Sequence, residues 1–228
     1  NLVITDAEGK EIISWTSGDK DSVKVSVTEK DGYCNLKYSF DEKGNLHVGG
    51  LLHDKDYTLT ETRPADGYVT ADAIVYQIKQ KTAEDGSVSS VVSIKQEDGT
   101  YVDQEDDKPG MVDEQAHIQH LKRDKKSGLA LGGAKFVVTD SKGKEVMKFV
   151  TKDEAYDITG KLVVGETYTF TETSAPSGYQ LAEPVKITIK DTSKVQTVTV
   201  KDAPIPDVPD TPQTGGTLPV LPLAAGFL

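Results

Sequence analysis

The sequence predicts an all-β protein, two tandem β-sandwich domains followed by a Pro-rich C-terminal tail, and three observations carry that prediction. Apolar and polar residues alternate over short runs, the period of a half-buried strand. No segment holds an apolar period near 3.6 over three turns, so helix signals are almost absent. Two stretches also nearly coincide: Tyr57-Thr-Leu-Thr-Glu61-Thr-Arg-Pro-Ala-Asp-Gly67-Tyr68 and Tyr168-Thr-Phe-Thr-Glu172-Thr-Ser-Ala-Pro-Ser-Gly178-Tyr179. Self-similarity of that kind marks a folding unit used twice.

Composition fits this reading and removes several function classes. The 228 residues leave room for two domains of ordinary size. Hydrophobic residues make up 36% and aromatics 7%, with Val, Thr, Ile and Tyr prominent, which suits small sandwiches better than one large core. A net charge of -11 with no compensating basic patch argues against nucleic acid or anionic lipid as a partner. Cys34 is the single cysteine, so an intramolecular disulfide framework is excluded. No run reaches the roughly 20 apolar residues of a membrane helix. No secretory signal opens the chain, whose first residues, Asn1-Leu-Val-Ile-Thr5, read as the middle of a strand.

Taken in order, the elements follow from the repeat. Leu2-Val-Ile-Thr-Asp6-Ala-Glu-Gly9 through Trp15 matches Phe136-Val-Val-Thr-Asp140-Ser-Lys-Gly143 through Phe149 without a gap, Asp6 to Asp140 being an offset of 134. Each is a hairpin around a turn that ends in Gly. From Glu61 to Glu172 the offset is 111, so the first copy carries 23 additional residues, placed between Asp19 and Val48. There Val23–Val27 and Cys34–Phe40 read as added strands. The closing strand sets Val198, Val200 and Asp202 on one face, and Met111-Val-Asp113 is its counterpart at an offset of 89. A further 22 residues therefore lie around Lys81 to Asp107, with an acidic tip, Asp103-Gln-Glu-Asp-Asp107, that reads as a solvated turn and lacks the spacing of an EF-hand calcium loop. Domain limits of 1–115, 116–204 and a tail of 205–228 follow.

The same alternation places a carboxylate in an apolar row. Tyr57, Leu59 and Glu61 share one strand face, as do Tyr168, Phe170 and Glu172, and a buried charge costs several kcal/mol unless paired, neutralised or hydrogen-bonded. In the second copy His117-Ile-Gln-His-Leu-Lys122 aligns Ile118, His120 and Lys122. Lys122, Glu172 and Asp202 can thus converge inside the core. Burial disfavours the charged forms of amines and carboxyls alike, so a neutral amine beside a neutral acid becomes accessible, the state that amide formation requires. A buried ion triad, or a Lys122 that snorkels to solvent, is the other reading. His117 and His120 fall on opposite faces, so they do not form a metal pair; no metal site, cofactor motif, catalytic triad or phosphate loop is found, and the protein is not read as an enzyme.

Lys122-Arg-Asp124, Leu131-Gly-Gly-Ala-Lys-Phe136, the Tyr168–Tyr179 stretch and Val200-Lys-Asp202 resemble a Cna B-type, or prealbumin-like, domain of Gram-positive pilins and surface adhesins. The resemblance covers nearly all of residues 116–204 and, with insertions, residues 1–115. It implies an Ig-like sandwich in which Lys122 is joined to Asp202 by an autocatalytic isopeptide bond assisted by Glu172. His120 departs from the apolar residue expected beside the lysine. In the first copy the offset of 134 places the matching lysine upstream of Asn1, so Glu61 and Asp113 are equivalents without their lysine; Lys10, in a hairpin turn, cannot replace it. The chain is accordingly read as part of a longer one.

Thr211-Pro-Gln-Thr-Gly215 resembles the LPxTG sorting signal, with Thr211 in place of the usual Leu, after the extended spacer Ala203-Pro-Ile-Pro-Asp-Val-Pro-Asp-Thr-Pro212. The five residues Thr211, Pro212, Gln213, Thr214 and Gly215 also suit a plain Pro/Thr linker. The apolar run Leu218–Leu228 stops short of a full anchor. A structural, extracellular pilin subunit or adhesin stalk is the reading that results, anchored to the cell wall by sortase, with peptidoglycan or other pilin subunits as partners. The alternative is an adhesin domain that binds a host extracellular-matrix protein or glycan through the first-copy insertions, with Tyr33, Cys34, Tyr38 and Phe40 contributing.

Overall fold

A computed structural model describes residues 1–104 and 109–206, and among these every regular element is a strand except one 3-10 turn, Glu29–Asp31. The first half contributes β1 (Leu2–Asp6), β2 (Glu11–Thr16), β3 (Asp19–Val25), β4 (Lys37–Phe40), β5 (Leu46–Gly49), β6 (Tyr57–Glu61), β7 (Ile74–Thr82), β8 (Val88–Lys95) and β9 (Tyr101–Asp103). The second half contributes β10 (Ile118–Asp124), β11 (Lys135–Thr139), β12 (Glu145–Val150), β13 (Tyr156–Asp157), β14 (Thr167–Ser174), β15 (Val185–Thr188) and β16 (Gln196–Asp202).

In the second half two sheets, ordered β13-β10-β16 and β12-β11-β14-β15, share a core of Ile118, Phe136, Phe149, Leu162, Phe170 and Val198. In the first half β2-β1-β6-β7 repeats the order of β12-β11-β14-β15, and β3, β8 and β9 widen it to a seven-stranded sheet, β3-β2-β1-β6-β7-β8-β9. The β4–β5 hairpin is a separate sheet whose Leu46 and Val48 pack onto the core around Ile4, Leu59 and Tyr76. Among the described residues no strand pair like β10–β16 belongs to the first half.

The repeat holds at the level of single hydrogen bonds. In the β1–β2 turn Asp6 Oδ1 accepts from the amides of Glu8 and Lys10 at 3.1 and 2.8 Å; in the β11–β12 turn Asp140 Oδ1 accepts from Lys142 and Lys144, both at 2.9 Å. This side-chain turn leaves one position left-handed, taken by Gly9 (φ 80) and Gly143 (φ 79). The tyrosines that begin β6 and β14 also act alike. Tyr57 Oη accepts from Leu52 N at 2.8 Å and Tyr168 Oη from Val163 N at 3.0 Å, so the phenol end of a buried ring is satisfied and the strand entry fixed.

Three expectations change. The added strand expected at Val23–Val27 is β3, displaced toward Asp19; Ser26 N still donates to Ile12 O of β2, and Val27 beyond it turns into the core. Only Lys37–Phe40 of the Cys34–Phe40 run is a strand, since Leu36 N closes a turn back to Tyr33 O. Met111–Asp113 forms no strand, since among the described residues the first half has no counterpart of β10 to supply its ladder, and Asp113 is exposed rather than inward. The Lys81–Asp107 insertion is the end of β7 with β8 and β9; of its acidic tip, residues 105–107 lie outside the described residues, while Asp103 pairs with Lys81 at 2.7 Å.

Candidate functional site

Strand β10 alternates buried and half-buried residues, so Ile118, His120 and Lys122 point into the sandwich and Gln119 and Leu121 do not. Strand β16 runs parallel to it, Lys122 opposite Val200 and Asp124 opposite Asp202, and turns Val198, Val200 and Asp202 inward. From the facing sheet β14 supplies Tyr168, Phe170 and Glu172. The three strands bring Lys122, Glu172 and Asp202 together with side chains 0–1% exposed, so Lys122 does not snorkel.

Lys122 Nζ contacts Asp202 Oδ1 and lies 3.0 Å from Glu172 Oε1, over the ring face of Phe136 at 5.4 Å. The Glu172 approach lacks hydrogen-bond alignment: Glu172 Oε1 and Asp202 Oδ2 are both buried without a hydrogen-bond partner. Glu172 Oε2 is held by the Ala182 amide at 2.8 Å. Burial pushes the Glu172 carboxyl above its ordinary pKa, against the Ala182 hydrogen bond and the Lys122 ammonium, which lower it. A fully ionised triad would leave one carboxylate in excess in an apolar core, at a cost of several kcal/mol. A shared proton removes that excess; an amide between Lys122 and Asp202 would remove one charge of each sign and leave Glu172 to be neutralised by a proton.

His120, two residues before the lysine, is fully buried with both ring nitrogens unpartnered. Its ring lies 4.4, 5.1 and 5.8 Å from those of Phe136, Phe149 and Phe170. Burial, with the Lys122 charge adding to it, brings its pKa down to about 4. It is a neutral aromatic in a cage of phenylalanines, which is how a histidine occupies a place otherwise suited to an apolar side chain.

In the first half Glu61 is also buried, and its Oε2 accepts from Ala71 N at 2.9 Å. Among the described residues it has no ion-pair partner. It lines a cleft of about 330 Å³ together with Asn1, Leu2, Arg63 and Asp113. Lys10 instead contacts Asp31 on the surface. The residues proposed for ligand binding do not share one exposed face, because Tyr33 is core, Phe40 half-buried, and only Cys34 and Tyr38 exposed. No metal-ligating cluster occurs among the described residues, nor a helix long and apolar enough to cross a membrane. Thr211–Gly215 lie outside them. Sequence reasoning missed the Ala71 and Ala182 amides and the Phe136 face; the repeated Gly-Tyr after each Glu was the available signal for the amides, since it marks a loop that folds back.

Residues 116–204 match the family model of the SpaA prealbumin-like fold domain. Similar solved structures include the shaft pilin SpaA from Lactobacillus rhamnosus GG, at 17% identity over 91% of this chain and 88% of that one, TM-score 0.35. A C-terminal fragment of the pilus adhesin SpaC from the same organism gives 18% identity over 91% and 90%, TM-score 0.39. The Bacillus anthracis TIE protein gives 19% over 90% of this chain and 30% of that one, TM-score 0.39. A search of curated proteins finds no match.

Proposed function

We propose that this chain is a structural module of a Gram-positive cell surface, a pilin subunit or adhesin stalk of two domains, 1–115 and 116–204, with a sorting signal in the tail 205–228. The observation that supports it is the sealed meeting of Lys122, Glu172 and Asp202 between the first and last strands of the second domain. A neutral Lys122 amine attacks the carboxyl carbon of a protonated Asp202. Glu172 takes a proton from the attacking nitrogen and returns it to the departing hydroxyl, so one amide forms, one water leaves and Glu172 ends as it began. The bond turns over once, so the protein is not an enzyme in the usual sense.

Mechanically, the bond would join positions 80 residues apart in sequence. Tension entering before Lys122 and leaving after Asp202 then bypasses the chain between them, and resistance to unfolding is largely kinetic. Sortase would cut between Thr214 and Gly215 and join Thr214 to peptidoglycan or to another pilin subunit, placing the stalk outside the cell wall. Intact mass tests the core of this reading. The purified chain is expected to weigh one water less than its sequence, and Lys122→Met, Asp202→Ala and Glu172→Ala to weigh what their sequences require; a wild-type mass equal to the sequence mass overturns it.

A further inference from the structure

The loop that follows Glu61 does not behave like the loop that follows Glu172, although the repeat makes them equivalent. Gly178 and Gln180 are exposed, whereas Gly67 and Val69 are buried. Val69, a first-domain residue, belongs to the second domain's hydrophobic core with Ala116, Ile118, Ile158, Leu162 and Ile189. Val69 N donates to Glu114 O and Ala116 N to Gly67 O, both at 2.9 Å, bonds that the repeat reproduces as Gln180 N to Ala203 O and Ile205 N to Gly178 O; the bond peculiar to the first loop is the one from Thr70 N to Asp191 Oδ1 at 2.9 Å. Gly160 N in turn donates to Ala116 O at 3.1 Å.

We infer that the second domain carries a socket between Gly160 and Asp191 that receives the Gly67–Thr70 loop of the domain before it, so that the two domains are joined by a docked plug as well as by the peptide linker. The plug is built to that purpose by its residue types. A Cβ on Gly67 would sit 2.2 Å from the Gly160 carbonyl oxygen, a distance no side chain tolerates. Val69 supplies the apolar head, and Glu61, through the Ala71 amide, holds the base of the loop at the first domain's own core. Glu61 thereby has a positioning role that needs no lysine. Force passed along the stalk would load this plug in parallel with the linker, and bending at the junction would require Val69 to leave an apolar core.

The repeat provides an internal control. Gly67 (φ 88) and Gly178 (φ 84) share the left-handed backbone that any side chain strains, but a Cβ on Gly178 meets nothing within 4 Å. Gly67→Ala and Gly178→Ala therefore differ by the contact with the second domain. The test is amide hydrogen exchange on the whole chain, read over Ile158–Leu162 and around Ile189. Gly67→Ala and Val69→Asp are expected to raise exchange there about tenfold or more, the effect of opening a small core, while Gly178→Ala leaves it near wild type. Val69→Ala should act in the same direction more weakly and serves where the charged variant fails to fold. Unchanged exchange over those segments in both Gly67→Ala and Val69→Ala, or equal increases in Gly67→Ala and Gly178→Ala, would overturn the plug. Because none of these readouts depends on water loss, they stand apart from the mass test of the cross-link.

Discussion

Glu61 and Glu172 occupy the same step of the repeat, each buried at the end of an apolar row, each with Oε2 held by the amide ten residues further on. Among the described residues only Glu172 of the two meets a lysine. The difference separates two kinds of structure that a motif runs together. The carboxylate pocket is local: strand alternation turns the Glu inward and a Gly-Tyr loop folds back to supply an N–H. The cluster of Lys122, Glu172 and Asp202 is not local, because it needs a first strand carrying the amine and a last strand in parallel register with it. A second pair makes the converse point, since Lys10 and Asp31 touch as Lys122 and Asp202 do, but on the surface with side chains 47% and 29% exposed and without a glutamate.

The largest expected effect breaks the second half toward the state of the first. Glu172→Ala and Lys122→Met should leave the domain uncross-linked, and closing a loop of 80 residues contributes on the order of 4 kcal/mol. For a domain of this size that corresponds to roughly 20 °C in melting temperature, read by calorimetry as the loss of the upper transition. Trp15, the single tryptophan, lies in β2 and reports the first half separately. A Glu172→Ala protein that melts where wild type does would show that the bond contributes little to thermal resistance.

Next in size is a pH dependence of the second half between pH 6.5 and 4. His120 titrates at about 4 in the folded protein against 6.5 in a free chain, so folding disfavours its protonation. Its contribution to stability is complete above pH 6.5, falls as the pH drops toward 4, and is then flat, a loss of about 3 kcal/mol over that window. Glu172 works oppositely: its raised folded pKa gives a contribution that is complete below 4.5 and lost as pH rises through the folded value. The two overlap, and substitution separates them. His120→Leu should flatten the acid-side loss in urea titrations whatever it does to stability at neutral pH; a slope identical to wild type would remove His120 as its source.

How much of this could be read beforehand follows the same division. Alternation in Tyr168–Glu172 and Ile118–Lys122 was enough to turn the right side chains inward, because a period of two admits one buried face. The hairpin turns were equally legible, Asp and Gly at fixed spacing having one local solution. What failed was whatever depended on a neighbour. Met111-Val-Asp113 reads as a strand, yet three residues make a strand only when another supplies the ladder, and among the described residues no counterpart of β10 stands beside it. Val69 carries no sign in its own sequence that its core belongs to the other half.

The smallest expected effect concerns Lys10 and Asp31, and it tests what contact alone can do. Hydrogen bonds from Lys10 and from Thr28 hold the Asp31 carboxyl down at about 2, so at neutral pH it is a carboxylate, a poor electrophile, facing an ammonium, which is no nucleophile. Solvent stabilises both charges and leaves no reason for either to neutralise. Proximity equal to that of Lys122 and Asp202 should therefore yield an ion pair and nothing more. Lys10→Ala is expected to leave the Trp15 unfolding transition within error and the one-water deficit unchanged. A wild-type deficit of two waters, reduced to one by Lys10→Ala, would mean that an exposed Lys–Asp contact condenses without burial or a glutamate, and the account of the Lys122 site given above would fail with it.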